Sequence, residues 1–320
     1  MKKWLLISGI VFGLACKTPG NPDIPVVGFV DAFQDNTIEQ AKTGFIDALQ
    51  QGGFDEKKGT LKLIYRNAQG NIPTLTQILK YFISQEVALI ATNPSLSTIT
   101  AVQNTKTIPI FMMVSPTPSL MKIIDTAGHA PENLFGVGEN LDYIDTSFLL
   151  IPKVIKPKTG KLVVGMIYNQ SEPQSVESME RIRRLADAND IHLIYQPVNS
   201  TADVQLVTAS LLSKNIDVFF ANPDNIVFES FETILQSCNQ RKIPIFTSEA
   251  GLVARGALAA YGADLYQWGY QAGQQAVQYL KSKSTAGLHW QMVSLRKRVY
   301  NPTAAKTFGI SIPTTFQPVQ

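Results

Sequence analysis

Short apolar runs alternate along this chain with longer stretches in which apolar residues recur at helical spacing. The first run, Val26–Val30, precedes Ile38, Ala41, Phe45 and Leu49, which fall on one face of a helix. The alternation predicts further strands at 61–65, 88–92, 108–114, 162–168, 191–195, 218–221 and 243–247. Continuous apolar strands separated by helices indicate parallel sheets that are covered on both faces. We therefore expect an α/β fold.

A weak internal repeat divides the body of the chain into two copies. The Ile-Pro-Ile-Phe sequence at 108–111 returns letter for letter at 243–246. Matching Val-Val-Gly triplets lie at 26–28 and 163–165, and matching Asn-Pro pairs lie at 93–94 and 222–223. Because the three matches keep the same order, they predict two Rossmann-like lobes of one plan, each with its own parallel sheet.

The segment after the second copy carries a strand pattern at 256–261 and a long helical pattern at 266–280. We expect this segment to return and complete the first lobe. The predicted first lobe therefore comprises residues 26–140 plus 248–281, and the predicted second lobe comprises 141–247 plus 282–320. This division requires the chain to cross between the lobes more than once.

The composition narrows the class of protein. The 320 residues are 45% hydrophobic and 17% charged, which excludes a disordered chain and a small disulfide-stapled module. The formal net charge is +3, and the only dense basic run is the short stretch 296–298. A nucleic-acid partner needs a larger basic footprint, so we expect none.

The N-terminus has the layout of a secretory signal, with Lys2 and Lys3 before an apolar run at 4–15. That run is too short to span a bilayer as a helix, which needs about 20 residues. Cys16 follows at once, and the sequence Gly-Leu-Ala-Cys at 13–16 resembles a bacterial lipobox, although Gly13 replaces the usual larger aliphatic residue. We expect a signal peptide at 1–15, lipidation of Cys16 and a tether at 16–25, giving an exported, membrane-anchored lipoprotein that faces the periplasm or the cell exterior. The alternative is a plain signal, cleaved or uncleaved.

The constellations that most enzymes need are missing from the sequence. His129, His192 and His289 are scattered, with no partner at metal-ligand spacing. Neither a GxxxxGK[ST] phosphate loop nor a GxSxG nucleophile motif occurs, and the Gly-Val-Gly at 136–138 lacks the third glycine of a dinucleotide fingerprint. Cys238 lies at helical spacing among apolar residues and is interpreted as a buried core residue. We expect no metal, no cofactor and no catalytic activity.

In open parallel sheets, ligands bind beyond the carboxyl ends of the strands. If two such sheets face each other, the loops after equivalent strands converge on one cleft. These loops carry mostly small, amide or hydroxyl side chains at 32–37, 93–95, 115, 169–175, 224–227 and 248–249. Such side chains favour recognition of a small solute by hydrogen bonds over acid–base chemistry.

Several motifs resemble the tryptophan/tyrosine-type family of ABC-transporter substrate-binding lipoproteins. They are Asn67–Gly70, Tyr168–Ser175, Pro223–Asn225, Arg255–Ala259 and Tyr300–Ala305, and their spacing holds from about residue 26 to 313. The resemblance implies a type I periplasmic binding protein, or Venus flytrap, that closes on a small solute and delivers it to an ABC permease in the membrane. The solute is often an aromatic amino acid; another amino acid or a nucleoside-like solute remains open. A module that reports a ligand to a signalling receptor is the alternative function, and we expect a monomer.

The resemblance also implies roles for individual residues. Amides and hydroxyls from Ser171 to Ser175 precede a helix and suit a ligand carboxylate, Asp224 suits an ammonium, and Phe33 or Tyr168 suits an aromatic ring. Gln174 and Ser115 depart from the family pattern, which commonly has asparagine and aspartate there. The complete set of predicted ligand-binding residues is Phe33, Gln34, Thr92, Asn93, Ser95, Ser115, Tyr168, Ser171, Gln174, Ser175, Asp224, Asn225 and Ser248.

Overall fold

The computed structural model describes residues 24–319 and shows two α/β lobes, each built on one sheet. The predicted signal peptide, Cys16 and all but the end of the tether lie outside the described residues. Among residues 24–319, no helix combines the length and the apolar character needed to cross a bilayer.

The first lobe contains a six-stranded sheet with the order β11-β5-β4-β3-β1-β2. Its elements are β1 (Val26–Asp31), α1 (Asn36–Gln51), β2 (Lys62–Asn67), α2 (Ile72–Ser84), β3 (Leu89–Asn93), α3 (Ser95–Asn104), β4 (Ile110–Met112), β5 (Leu134–Gly138) and, late in the chain, α11 (Leu265–Ser282) and β11 (Gln291–Met292). Every pair of neighbouring strands in this sheet is parallel. The buried strands β1, β3 and β4 carry the apolar runs that the sequence pattern predicts, whereas β5 was not predicted.

The second lobe contains a seven-stranded sheet with the order β13-β12-β10-β9-β8-β6-β7. Its elements are α4 (Tyr143–Phe148), α5 (Ile151–Val154), β6 (Val163–Asn169), α6 (Pro173–Ala188), β7 (His192–Val198), α7 (Thr201–Leu212), β8 (Val218–Ala221), α8 (Asn225–Glu229), α9 (Phe231–Gln240), β9 (Ile245–Thr247), α10 (Ala250–Ala254), β10 (Ala259–Ala263), β12 (Arg296–Tyr300), α12 (Pro302–Phe308) and β13 (Gln317–Pro318). The pairing of β10 with β12 is antiparallel.

The internal repeat corresponds to one strand order used twice. The first sheet runs β2-β1-β3-β4-β5 and the second runs β7-β6-β8-β9-β10, so the two Ile-Pro-Ile-Phe segments lead into equivalent strands, β4 and β9. The expected fold of two parallel-sheet lobes is confirmed.

The expected boundaries between the lobes need correction. The strand β10 was expected to complete the first sheet, but it pairs with β9 in the second sheet. The helix α11 does return to the first lobe, and so does β11, which pairs with β5 and was expected in the second lobe. The chain therefore crosses between lobes at 139–142, at 264 and at 293–295. The physical reason is that β10 is the repeat counterpart of β5, and a repeat unit keeps its fifth strand in its own sheet.

The long helices α1 and α11 pack against each other across the back of the first lobe. Asp35 begins α1 by accepting hydrogen bonds from the backbone N–H groups of Thr37 and Ile38 at 2.8 and 2.9 Å. At the contact, a Cβ on Gly269 would lie 1.8 Å from the carbonyl oxygen of Ala41. Only glycine lets the two backbones approach so closely.

Ion pairs brace the three crossovers between the lobes. Arg296 donates to both carboxylate oxygens of Glu139 at 2.8 Å, which ties the start of β12 to the end of β5. Lys297 lies 2.7 Å from the carboxylate of Asp264 at the second crossover. These crossovers form the hinge, and they leave the loops beyond β1, β3, β6 and β8 facing the cleft.

Candidate functional site

A pocket lies between the lobes beside the hinge, with about 410 Å³ of empty space that is partly open to solvent. The lining comes from both lobes: Val114, Ser115, Pro116, Glu139, Leu141, Tyr143, Gln174, Pro223, Asn225, Phe228, Glu249, Leu265 and Trp268. We call this space the interlobe pocket.

Aromatic side chains form much of the apolar lining of the interlobe pocket. The rings of Tyr143 and Trp268 are 6.5 Å apart and nearly perpendicular, and Phe228 contributes a third ring from α8. The indole Nε1 of Trp268 is buried and has no hydrogen-bond partner. An aromatic lining with a free buried donor suits a flat apolar solute that carries a polar group.

Two buried carboxyl groups lie in the part of the interlobe pocket nearest the hinge. Tyr143 donates to Oε1 of Glu249 at 2.9 Å, while Oε2 of Glu249 is buried without a partner. Burial and the neighbouring Glu139 carboxylate raise the pKa of Glu249 to about 8. Burial also raises the pKa of Glu139, although its hydrogen bonds to the Asn140 N–H and to Arg296 oppose that rise. Because one guanidinium faces two carboxyl groups, this part of the pocket favours a cation.

A polar cluster joins the two lobes on the other side of the interlobe pocket. Ser95, at the start of α3 in the first lobe, donates to Glu172 at 3.2 Å and accepts from the side-chain amides of Gln174 at 3.0 Å and Asn225 at 3.2 Å. Glu172 also accepts from the backbone N–H of Asn225 at 3.2 Å. Burial and the Asp224 carboxylate raise the pKa of Glu172 to about 8. These contacts across the cleft define a closed arrangement of the lobes.

Three of the predicted residues line the interlobe pocket, namely Ser115, Gln174 and Asn225. Ser95 lies one hydrogen bond behind them. Thr92 lies further back in the first lobe, where it is linked to Ser115 through the hydroxyl of Thr98 at 2.9 and 3.1 Å. The structure therefore brings these five predicted residues to one region of the cleft.

Asp224 lies outside the pocket lining, and its carboxylate is fully used within the second lobe. Its Oδ1 accepts from the backbone N–H groups of Ile226 and Val227 at 2.8 and 3.1 Å, which caps α8. Its Oδ2 accepts from the N–H of Asn169 at 2.6 Å and from the hydroxyl of Ser175. In this arrangement Asp224 and Ser175 position the loops that carry Asn225 and Gln174.

Of the remaining predicted residues, all but Ser248 lie away from the interlobe pocket; the Ser248 hydroxyl lies 3.5 Å from Oε1 of the lining residue Glu249. Phe33 and Gln34 line a separate small depression beside β2. The buried amide of Asn93 donates to Asp31 at 2.8 Å inside the first lobe. Tyr168 packs edge-on against Tyr195, Ser171 is exposed, and Ser248 is buried next to Glu249.

Among the acidic and aromatic residues of the site, Glu172 and Glu249 fall in predicted cleft loops but were not named as binding residues, whereas Glu139, Tyr143 and Trp268 were not predicted at all. Glu139 adjoins the Gly-Val-Gly segment that was considered only as a dinucleotide motif, and Glu249 lay at the edge of a predicted loop. Tyr143 and Trp268 lie next to crossovers whose positions the pattern of strands did not indicate. In the part of the chain that the structure describes, no cluster of three or more His, Cys, Asp or Glu side chains is arranged to hold a metal ion.

The sequence profile of a family described as "ABC transporter substrate binding protein" matches residues 24–317. The chain belongs to this family. ABC substrate-binding proteins work outside the cytoplasm and partner a membrane permease, and this is the role of the chain. Its two lobes close on each other and so can enclose a solute, as a substrate-binding protein requires.

Relatives of this substrate-binding protein include the tyrosine-binding protein of Clostridioides difficile, which is 31% identical over 262 residues, covering 82% of this chain and 74% of the relative. A Streptococcus pneumoniae ABC domain in complex with L-Trp superposes with a TM-score of 0.81, at 21% identity, over 92% of this chain and 99% of that one. The ligand-free, open structure of a Clostridium difficile substrate-binding protein with adhesive properties superposes with a TM-score of 0.66, at 24% identity, over 93% of this chain and 99% of that one. The two superpositions support the fold of paired lobes.

Proposed function

We propose that this substrate-binding protein captures an aromatic amino acid in the interlobe pocket and presents it to its ABC permease. The observation that carries the proposal is the buried Oε2 of Glu249, an unpartnered carboxylate oxygen in a pocket lined by aromatic rings. An unpartnered buried acceptor costs free energy, and a ligand ammonium removes that cost. The name of the tyrosine-binding relative supports the same class of solute. The proposal includes no catalytic step.

The polar cluster can serve the carboxylate of the amino acid by exchange of partners, because the side-chain amides of Gln174 and Asn225 each donate to both Ser95 and Glu172, and the solute replaces one of these acceptors. The side-chain amides of Gln174 and Asn225 line the pocket, and Gln174 stands in the first turn of α6, where the helix dipole favours an anion. Glu172 accepts hydrogen bonds from both amides. With its pKa raised to about 8, this carboxyl is largely protonated at neutral pH and repels a ligand carboxylate little.

Calorimetry on the mature protein with L-tryptophan, L-tyrosine and L-phenylalanine tests the proposal. We expect binding of at least one of them, and weaker binding of L-leucine, which lacks a ring. Two analogues of the solute that binds separate the polar contacts: the decarboxylated amine lacks the carboxylate, and the deaminated propionic acid lacks the ammonium. The propionic acid should lose more affinity, because it brings no ammonium to the carboxyl of Glu249. Absence of binding by all three aromatic amino acids, with binding of another solute, would contradict the proposal.

We also propose that Cys16 anchors the protein to the membrane through lipid. The apolar run before Cys16 and the Gly-Leu-Ala-Cys sequence support this, together with the extracytoplasmic role of the family. Metabolic labelling with radioactive palmitate should mark the wild-type chain in the membrane fraction, while Cys16→Ser should remain unlabelled. A wild-type chain that takes up no label would exclude lipidation.

A further inference from the structure

Arg255 lies between α10 and β10 in the second lobe, and its guanidinium contacts both lobes. All five of its N–H groups donate hydrogen bonds. Nε and Nη2 donate to Glu232 at 2.9 and 2.7 Å, and Nη2 also donates to the carbonyl oxygen of Phe228 at 3.2 Å. Nη1 donates to Asp35 at 2.5 Å and to Thr37 at 2.9 Å. Glu232 and Phe228 belong to the second lobe, whereas Asp35 and Thr37 belong to the first.

The contact with Asp35 is the ion pair that joins the lobes away from the hinge; the other ion pairs within residues 24–319 lie inside one lobe or at the crossovers. The side chain of Arg255 is 14% exposed to solvent and that of Asp35 is 2% exposed, so water screens this ion pair little. Burial raises the pKa of Asp35, and the facing guanidinium opposes that rise. Opening of the cleft separates the pair but leaves Arg255 bound to Glu232.

The surroundings of this ion pair require the lobes to meet closely. Gly251 of α10 faces Thr37 of α1 so tightly that a Cβ on Gly251 would lie 2.1 Å from Thr37 Cγ2. The Arg255 guanidinium lies over the ring of Phe231, 5.1 Å from its centre. Through the carbonyl oxygen of Phe228, Arg255 also holds the helix that presents the Phe228 ring to the interlobe pocket.

We propose that Arg255 is a positioning residue that latches the closed state, setting how long the solute stays bound without touching it. The pair with Asp35 forms only when the lobes close, so its free energy adds to the stability of the closed, solute-bound state. The latch slows release of the solute and leaves its capture by the open protein unchanged. The inference rests on the proposed function only for the choice of solute used below.

The test compares Arg255→Gln, Asp35→Asn and the double variant with the wild type, using stopped-flow binding of the aromatic amino acid that calorimetry identifies. We expect each single variant to raise the dissociation rate constant and Kd about tenfold with little change in the association rate constant. The double variant should be no worse than either single variant, because both remove one interaction. Arg255→Lys should restore part of the affinity, since it keeps the charge but loses the fork of donors.

Arg181→Gln is the matched control, because Arg181 pairs with Asp145 on α4 and with Asp142, the N-cap residue of α4, so both partners lie on the second-lobe side of the first crossover. This variant should change Kd less than twofold. Losses in Arg255→Gln and Asp35→Asn that add in the double variant, or that equal the loss in Arg181→Gln, would overturn the latch. Thermal unfolding of each variant without solute shows whether a loss comes from unfolding; a variant that fails to fold is replaced by Arg255→Lys, which still has to raise the dissociation rate.

If no aromatic amino acid binds to the wild type, the proposed function fails and the latch is tested without solute. One spin label on each lobe then reports the distribution of distances across the cleft by double electron–electron resonance. Arg255→Gln and Asp35→Asn should shift that distribution toward the open state, and Arg181→Gln should not. Identical distributions in the wild type and in both latch variants would overturn the inference.

Discussion

The carboxyl of Glu249 makes solute binding depend on pH in a direction that the structure fixes. Its pKa is raised to about 8, and an ammonium next to Oε2 stabilises the ionised form. Binding therefore releases a proton below pH 8, and affinity rises with pH until the carboxyl is ionised in the free protein. Between pH 8 and pH 6 the ionised fraction falls from about one half to about one hundredth, so affinity should fall by up to about 50-fold.

Glu249→Gln removes the part of this dependence that comes from Glu249. At pH 8 the neutral amide should bind the solute about 10- to 100-fold more weakly, the scale of a lost hydrogen bond to a charged group. At pH 6 the two proteins should bind almost equally, because the wild-type carboxyl is then protonated as well. The curves of affinity against pH for the wild type and Glu249→Gln should thus converge toward low pH.

Isothermal titration calorimetry measures both the affinity and the released proton, by comparing buffers of different ionisation enthalpy at one pH. Glu172 also has a pKa of about 8 and faces Asp224, so its contribution remains in both proteins and the difference between the two curves isolates Glu249. Tyr143 and Glu139 are the other titratable groups facing Glu249; the substitution removes a charge that raises the pKa of Tyr143, and burial still holds that pKa above its usual value, outside the pH range of the experiment. Glu177→Gln, an exposed change on α6, is the control. A full pH slope retained in Glu249→Gln would refute the assignment.

Three further outcomes follow from the packing around the cleft. Gly251→Ala places a Cβ against Thr37 and should weaken solute binding, measured by calorimetry, at least tenfold while the unfolding midpoint of the solute-free protein stays unchanged. Adding Thr37→Ala to this variant should recover part of the affinity. If the affinity does not recover, the clash with Thr37 is not the cause. Asp224→Ala leaves four donors without their acceptor and should lower the free energy of unfolding in urea by about 2 kcal/mol or more. Unchanged stability with lost affinity would instead return Asp224 to direct contact with the solute. Trp268→Phe should abolish most of the change in tryptophan fluorescence on solute binding, because Trp290 lies outside the pocket lining; a change that persists would place the reporting indole elsewhere.

The pattern of apolar residues predicted most strands of the two sheets but missed β5, because buried parallel strands usually leave continuous apolar runs that can be recognised without knowledge of contacts. The internal repeat also indicates which sheet the strand after β9 joins, and the predicted lobe boundaries did not use this. Since β4 and β9 are equivalent, the strand after β9 must be the counterpart of β5 and must stay in the second sheet. The boundary at 248 was wrong because strand 256–261 was assigned by its place at the end of the chain.

The site was predicted less completely, because its chemistry depends on burial. Gln174 and Asn225 lie in loops after strands, where the rule for open sheets indicates ligand contacts. Glu249 follows such a strand too, but a carboxylate in a loop gives no sign in sequence that one of its oxygens will be buried and unpartnered. Asp224 shows the converse, since a carboxylate after a strand can be used entirely to cap the next helix.

The packing of α1 against α11 has a consequence for how the protein is made. The apolar face of α1 emerges early in synthesis, while its partner helix belongs to the last quarter of the chain. The second lobe lacks only β12 and β13, at one end of its sheet, and has strands β6 to β10 before α11 is available. Long-range closure of this kind is slow and leaves apolar surface exposed in the meantime. Chains truncated before residue 265 should therefore present an uncovered first lobe to proteases and chaperones, which makes α11 the element that closes the first lobe.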